Sequence, residues 1–392
     1  MAISQATREY IVKHQHDDVR ELALKGCQNP DVDLSFALQQ IQGRQKAKGK
    51  LPEMYENNDI IFPPSVSMEQ CSSETTAKYK AGLVHGDSFA DLTGGFGVDT
   101  LAFAKCFQQG FYVELSKELC EVFEHNANAL GIRNIQIQQG TMEEILPTLP
   151  EVDIFYLDPS RRDEHGRRVV SLDDCTPNVS MYKDALLGKA RQGVLVKLSP
   201  MLDIKTALQQ LPETKGIHVI AVQGECKEIL FLLSHDKVEN IEYHAVNIQG
   251  ERVTDFQFSS QEEADAAPEL TDALCKYLLE PNAAVMKAGA FKCVATRYGL
   301  RKLHAHSHLY TCDEPVADFP GRVFAVEMVV PFSKKELKRQ FAGMHKANVA
   351  VRNFPLTAEE LRKQLKLGDG GDVYIFGTTL RDGGKVLVVT RK

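Results

Sequence analysis

A chain of 392 residues, 43% hydrophobic and 25% charged, is long enough for more than one domain and too apolar to be disordered. It has no apolar run of roughly 18 residues to span a membrane, its first residues (MAISQATREYIVKHQHDD) are too polar for a secretory signal, and its nine cysteines are scattered with no C-x-x-C pair, which excludes a zinc ribbon or disulfide scaffold and fits a reducing cytoplasm. The net charge of −7 hides an asymmetry: residues 281–392 carry 19 Lys/Arg against 10 Asp/Glu, and a basic end on an acidic body suits a polyanionic partner.

Residues 1–65 read as short helices. ATREYIVKHQ and DLSFALQQIQGRQKAKGK space apolar residues helically, and the second ends in the basic run Arg44, Lys46, Lys48, Lys50. LPEMYENNDIIFPP reads as an extended linker, since proline disfavours helix at and before itself. SMEQCSSETTAKYKAGLV resumes helical character. From about 87 to 245 strand and helix alternate: SFAD, FYVEL, IQIQQ, DIFYLD, GVLVKLS and GIHVIAVQ as strands, with helical runs between them. That alternation predicts an α/β fold with a mostly parallel sheet covered on both faces. The seventh strand, EILFLLS, follows the sixth too closely for a crossover and must pair antiparallel. After the polar break FQFSSQEEADAAPEL, the stretch TDALCKYLLEPNAAVMKAGAFKCVATRYGLRKL reads as helical, and HLYTCDEPV and RVFAVEMVVPF as strands. Ser333/Glu336 and Thr357/Glu360 have capping-box spacing, and Asp382-Gly383-Gly384 marks a terminal hairpin.

The turn FADLTGGFGVDT sets Asp91, Thr93, Gly94, Gly95 and Gly97 at the end of the first strand. Glycines there admit a ligand close to the backbone, beside a helix N-terminus. The spacing is not the dinucleotide G-x-G-x-x-G, because Thr100 stands where its last glycine would fall. The second strand ends at Glu114, followed by Leu115; an acidic residue at that tip can hold both hydroxyls of a ribose. Gln139-Gly140-Thr141-Met142 ends the third strand, where an adenine would lie. These residues describe a nucleoside pocket without a phosphate cradle, which fits S-adenosylmethionine better than NAD. A tight structural turn is the plainer alternative for the glycines alone.

This order of elements and motifs resembles class I S-adenosylmethionine-dependent methyltransferases over residues 66–245. The whole chain is similar to the bacterial subgroup in which that domain is followed by a ferredoxin-like piece and a THUMP-like domain. The resemblance implies a Rossmann-like sheet of seven strands, one of them antiparallel, after a helical segment over residues 1–65. It implies a linker and ferredoxin-like α+β piece over 246–325 and a basic THUMP-like domain over 326–392. It also implies that the segment before the first strand packs on the cofactor, through Gln70, Ser73 and Thr76, with helix capping as the alternative.

DIFYLDPSRRD ends the fourth strand, where the methyl acceptor meets the sulfonium in this fold. The related amino-group methyltransferases carry D/N/S-P-P-aromatic there, with a side-chain oxygen on the target amine and a ring stacked on the base. This chain keeps Asp158 and Pro159 but has Ser160 and Arg161 in place of the second proline and the ring. Asp158, Pro159 and Arg161 are expected at the reaction centre. Ser160, Arg162, Lys197 and Ser199 are expected to bind substrate, the guanidiniums by stacking on a base or gripping a phosphate. Arg167 and Arg168 extend the positive loop, and ion pairing with Asp163 and Glu164 is the alternative use for these arginines. Glu225, Lys227 and Glu228 lie in the last hairpin, with charge pairing as their simpler role. His304, His306 and His308 alternate as on one face of a strand; with no carboxylate or cysteine constellation beside them, no metal is expected.

The expected activity is S-adenosylmethionine-dependent methylation of structured RNA, tRNA or rRNA, captured by the basic C-terminal domain in the cytoplasm. Two alternatives use the same residues: methylation of a protein or small molecule, and an RNA-binding module that has lost activity. Gln139, where many relatives are acidic, and the incomplete acceptor motif keep the latter open.

Overall fold

The computed structural model describes residues 3–160, 172, 175–236 and 238–392. Arg161 and Arg162, with Asp163, Glu164, Arg167 and Arg168, lie outside the described residues. Contacts divide the chain into two compact units, Met1–Thr214 with Phe231–Lys237, and Lys215–Leu230 with Val238–Lys392.

The N-terminal helices are α1 (Gln5–His14), α2 (Val19–Lys25), α3 (Leu34–Lys50), α4 (Pro52–Glu56), α5 (Ser65–Gln70) and α6 (Glu74–Leu83). Side-chain oxygens of Ser4, Asp18, Asp33 and Ser73 cap α1, α2, α3 and α6. The linker is extended only after Glu56. LPEMYE turns helical because Pro52 takes the first position of α4, where a missing N–H costs nothing. The helical character expected over SMEQCSSETTAKYKAGLV is carried by two helices, separated where Ser73 turns extended to cap α6. Ile61 and Phe62 lie outside any strand, so side-chain amides satisfy their backbone. Asn126 bonds both the N–H and the carbonyl of Ile61, and Gln40 does the same for Phe62.

The first sheet begins with β1 (Ser88–Asp91), α7 (Val98–Ala104), β2 (Gln109–Glu114), α8 (Lys117–Ala129), β3 (Ile135–Gln139), α9 (Met142–Ile145) and β4 (Val152–Leu157). It continues with α10 (Val179–Leu187), β5 (Ala190–Leu198), α11 (Ile204–Gln210), β6 (Thr214–Val222) and β7 (Glu225–Leu233). β1 pairs parallel with β2 and β4, β2 with β3, and β4 with β5. β4 is buried along its whole length, as a strand covered on both faces must be. Gln223 and Gly224 both take positive φ between β6 and β7, a two-residue hairpin that sets β7 antiparallel to its neighbour.

The sheet has nine strands rather than seven, in the order β3-β2-β1-β4-β5-β7-β6-β8-β9. β8 (Glu242–Gln249) pairs parallel with β6, and β9 (Arg252–Ser259) pairs antiparallel with β8. The expected polar break is thus a strand plus the short α12 (Ser260–Asp265). The signal was a turn at Gly250 between two alternating runs, EYHAVNIQ and RVTDFQFS.

The second sheet corrects another expectation. KYLLEP, read as helix, is β10 (Tyr277–Pro281), and its four consecutive buried residues belong to a strand paired on both sides rather than to a helical stripe. α13 (Ala283–Ala288), α14 (Cys293–Arg297), β11 (Arg301–Lys302), β12 (Tyr310–Cys312) and β13 (Gly321–Pro331) follow. Then come α15 (Lys334–Gln340), β14 (Asn348–Arg352), α16 (Ala358–Leu365), β15 (Val373–Thr379) and β16 (Lys385–Arg391). Their order is β11-β12-β10-β13-β16-β15-β14. Thr357 and Glu360 form the expected capping box of α16, and β15–β16 is the expected hairpin. Leu337, Phe341, Leu361 and Leu365, from α15, α16 and their ends, pack with Ile375, Leu387 and Val389 of the sheet. Among the described residues no helix is long and apolar enough to cross a membrane.

Candidate functional site

The carboxyl edge of the first sheet starts with a buried acid. Asp91 is 1% exposed and faces inward. Its Oδ1 accepts from the Thr93 N–H at 3.0 Å and its Oδ2 from Thr100 Oγ1 at 2.6 Å. Burial pushes its pKa up to about 7 against the pull of those two donors, and Asp99 and Asp158 add to the rise. Asp91 therefore closes the glycine turn and presents no open oxygen to a ligand.

The three glycines have different reasons. Tyr112 and Phe123 stack beneath the turn with ring centroids 3.9 Å apart. A Cβ on Gly94 would lie 2.3 Å from the Tyr112 ring, and one on Gly97 (φ 82°) 2.1 Å from Phe123, so both are packing glycines. Gly95 (φ 53°) is different: a Cβ there would meet nothing nearer than the Thr93 carbonyl at 3.8 Å. Its open side is where a ligand can approach. Tyr112 Oη donates to the Gly95 carbonyl at 2.6 Å and holds this backbone from below.

Glu114 faces the same opening. Its Oε2 accepts from the Gly95 N–H at 2.9 Å and its Oε1 from the Ser116 N–H at 2.8 Å. A carboxylate has about four acceptor positions, so two backbone bonds fix its plane and leave capacity for a diol. Leu115 beside it is 65% exposed, an apolar side chain at a polar edge. At the β3 tip the Gly140 N–H donates to the Glu114 carbonyl. Thr141 caps α9 in a capping box with Glu144, and Met142 is buried. Gln70 is exposed at the end of α5. Ser73 and Thr76 are bonded to each other as the cap of α6, the plainer of their two expected roles.

At the β4 tip the Asp158 N–H donates to Thr93 Oγ1 at 2.6 Å, so one threonine ties the glycine turn to the DPS tip. Lys197, near the end of β5, donates to Asp158 Oδ2, which brings together two residues 39 positions apart. Pro159 is buried and Ser160 exposed. The Ser160 backbone pairs with Thr176, and Ser199 Oγ caps its own turn by accepting from the Met201 N–H. Glu225 and Lys227 form an exposed ion pair. The three histidines do not share a strand face: residues 304–307 form a turn, and His308 stacks on Phe291 with centroids 3.6 Å apart.

Sequence reasoning missed what lies under this edge. Lys80 of α6 is completely buried, 3.1 Å from Asp99 in the first turn of α7. Asp99 Oδ2 also accepts from Ser72 Oγ at 2.7 Å and Tyr156 Oη at 2.8 Å. The available signal was Asp99 itself, two residues beyond Gly97. Nothing in ETTAKYKAGL distinguishes Lys80 from the exposed Lys78.

The open Cα of Gly95, the anchored Glu114 and the exposed Leu115 fit the nucleoside of S-adenosylmethionine. They offer acceptors for ribose hydroxyls and an apolar side chain for an adenine face. Comparisons with known proteins agree. A ferredoxin-like domain family matches residues 277–320, and a THUMP domain-like family matches 321–392. An uncharacterized S-adenosylmethionine-dependent methyltransferase of Mycobacterium tuberculosis is 22% identical over 87% of this chain and 91% of its own length. An uncharacterized RNA methyltransferase of Synechocystis is 30% identical over 89 residues, 22% of this chain and 19% of its own. A candidate methyltransferase from Porphyromonas gingivalis W83, solved by crystallography, superposes with a TM-score of 0.90 at 36% identity, covering 99% of this chain and 97% of that one. With a likeness of that extent, the chain belongs to the S-adenosylmethionine-dependent methyltransferases that carry a THUMP-like C-terminal domain.

Proposed function

We propose that this methyltransferase acts on a base of structured RNA, tRNA or rRNA, held by its C-terminal region. The observation that carries the reading is the charge of that region, 19 basic against 10 acidic residues over 281–392, within which the THUMP-like match falls. The RNA methyltransferase relative supports it over the shorter stretch. So does one detail of the second sheet. Glu280, 3% exposed, accepts from both Arg322 and Arg352. It holds the Arg322 guanidinium over Phe324 and Tyr374, 5.3 and 5.7 Å from the ring centroids. Oriented, half-exposed guanidiniums beside aromatic rings suit phosphates and bases.

At the first sheet's edge, S-adenosylmethionine supplies a methyl group made electrophilic by its sulfonium. In our reading Glu114 accepts the ribose hydroxyls, the Gly95 backbone lets the ligand sit close, and Leu115, Gly140 and Met142 border the adenine. Gln70, exposed at the end of α5, is assigned to its rim. Asp158, with one oxygen on Lys197, accepts an N–H of the target with the other. The buried Pro159 fixes the path of the chain at that point, and Ser160, Arg161 and Arg162 meet the RNA. With the cofactor bound, transfer would form the new N–C bond as the C–S bond breaks, releasing S-adenosylhomocysteine, and the acceptor's proton would leave to water. Little acid–base chemistry is required, so alignment carries much of the rate.

The test is transfer of a tritiated methyl group from S-adenosylmethionine to tRNA and rRNA pools. RNA labelling that disappears in Asp158→Ala and weakens steeply with salt is expected. Labelling of protein or small molecules alone would overturn the RNA reading and leave the methyltransferase intact.

A further inference from the structure

The buried ionic cluster beneath the site has no evident reason in stability. A buried ion pair loses hydration that its mutual attraction often fails to restore, and apolar replacements of similar size are commonly neutral or stabilising. Yet Lys80, fully buried, is held between Asp99 Oδ1 at 3.1 Å and Ser72 Oγ at 2.9 Å. Asp99 in turn collects Ser72 Oγ and Tyr156 Oη on its second oxygen. Burial raises the Asp99 carboxyl's pKa, but Lys80, Lys197, Ser72 and Tyr156 overcome that and leave it below the usual range. Asp99 is thus an ionised carboxylate with two hydroxyl donors on Oδ2 and the Lys80 ammonium 3.1 Å from Oδ1.

Its placement is the telling feature. Asp99 sits two residues after Gly97, at the head of α7. Tyr156 sits two residues before Asp158, on β4. Ser72 lies in the break between α5 and α6, and Lys197, which also pairs with Asp158, acts electrostatically on Asp99. One carboxylate therefore joins the glycine turn, the acceptor strand and the segment before β1. Side chains that would otherwise slide against each other as apolar surfaces are fixed by directional bonds.

We propose that Asp99 and Lys80, with Ser72 and Tyr156, are positioning residues that set the glycine turn and the Asp158 tip in mutual register. None of them touches cofactor or substrate in this account. The inference rests on reading the β1–β2 edge as the cofactor pocket. Its consequence is that removing the charges together restores the fold without restoring the site.

The experiment titrates S-adenosylhomocysteine calorimetrically into wild type, Lys80→Met, the double variant Lys80→Met/Asp99→Leu, Tyr156→Phe and Ser72→Ala, and records a thermal melt of each. Lys80→Met alone should melt far lower, because it leaves a buried carboxylate unpaired. The double variant should recover most of the melting temperature and still bind roughly tenfold more weakly than wild type, the scale of coupling lost at residues that touch no ligand. Tyr156→Phe and Ser72→Ala should weaken binding several-fold with melting nearly unchanged. Affinity that recovers with melting in the double variant, or is unchanged in Tyr156→Phe and Ser72→Ala, would make the cluster merely structural and overturn the proposal. If the double variant does not fold, the two single hydroxyl deletions decide. Wild type that binds no S-adenosylhomocysteine would overturn the pocket reading itself, and this inference with it.

Discussion

The two ends of the carboxyl edge are built differently. At the β1–β2 end the acid, Glu114, is held by two backbone N–H groups, and the turn is backed by aromatic rings. At the β4–β5 end the acid, Asp158, is held by a lysine ammonium. A backbone-anchored acid keeps its geometry whatever arrives and suits an invariant ligand such as a cofactor. An acid held by one flexible ammonium can exchange that partner for an incoming donor, which suits an acceptor that must enter, react and leave.

The comparison breaks most sharply if the two acids are exchanged in role. Asp158→Ala should lower methyl transfer by about a hundredfold or more, the scale of a lost alignment contact, with S-adenosylhomocysteine affinity nearly unchanged. Transfer at wild-type rate would remove Asp158 from the reaction centre. Glu114→Ala should do the reverse, weakening cofactor affinity by roughly tenfold to a hundredfold through the loss of charge-assisted bonds. Gly97→Ala probes the aromatic backing. Its Cβ would fall 2.1 Å from Phe123 at a positive φ, so a chemical melt should show about 1–3 kcal/mol of destabilisation. A melt like wild type would mean the turn is not wedged against those rings.

The smallest effect concerns pH and the buried Asp91. Its folded pKa of about 7 lies above the ordinary 3.8, so its contribution to stability is fully present below the unfolded value and is lost as pH rises through about 7. A cationic ligand binding above it favours the ionised form. Titrations of S-adenosylmethionine near neutral pH, in buffers of different ionisation enthalpy, should therefore reveal proton release. Heats that do not depend on the buffer would show that Asp91 does not feel the ligand.

How much of this was legible in the sequence varies with the kind of signal. Glu114 and the glycines announce themselves because turns constrain residue type locally, and FYVEL ends its strand where the periodicity says it should. Asp91 was legible in position and not in orientation: a strand-end carboxylate looks the same whether it faces solvent or closes a turn on Thr93 and Thr100. The strand β10 was missed because a run as short as YLLEP satisfies helix and strand periods alike, and β8 and β9 because the turn at Gly250 between them was passed over. Lys80 was illegible because its burial comes from α6 packing on α7, and no pattern within ETTAKYKAGL carries that contact.

The most direct test of the divided edge is one calorimetric comparison: S-adenosylhomocysteine titrated into wild type, Glu114→Ala and Asp158→Ala under the same conditions. Binding is expected in wild type, with nearly the same strength in Asp158→Ala and a loss of at least about tenfold in Glu114→Ala. Equal affinity in wild type and Glu114→Ala, or a larger loss in Asp158→Ala than in Glu114→Ala, would contradict it.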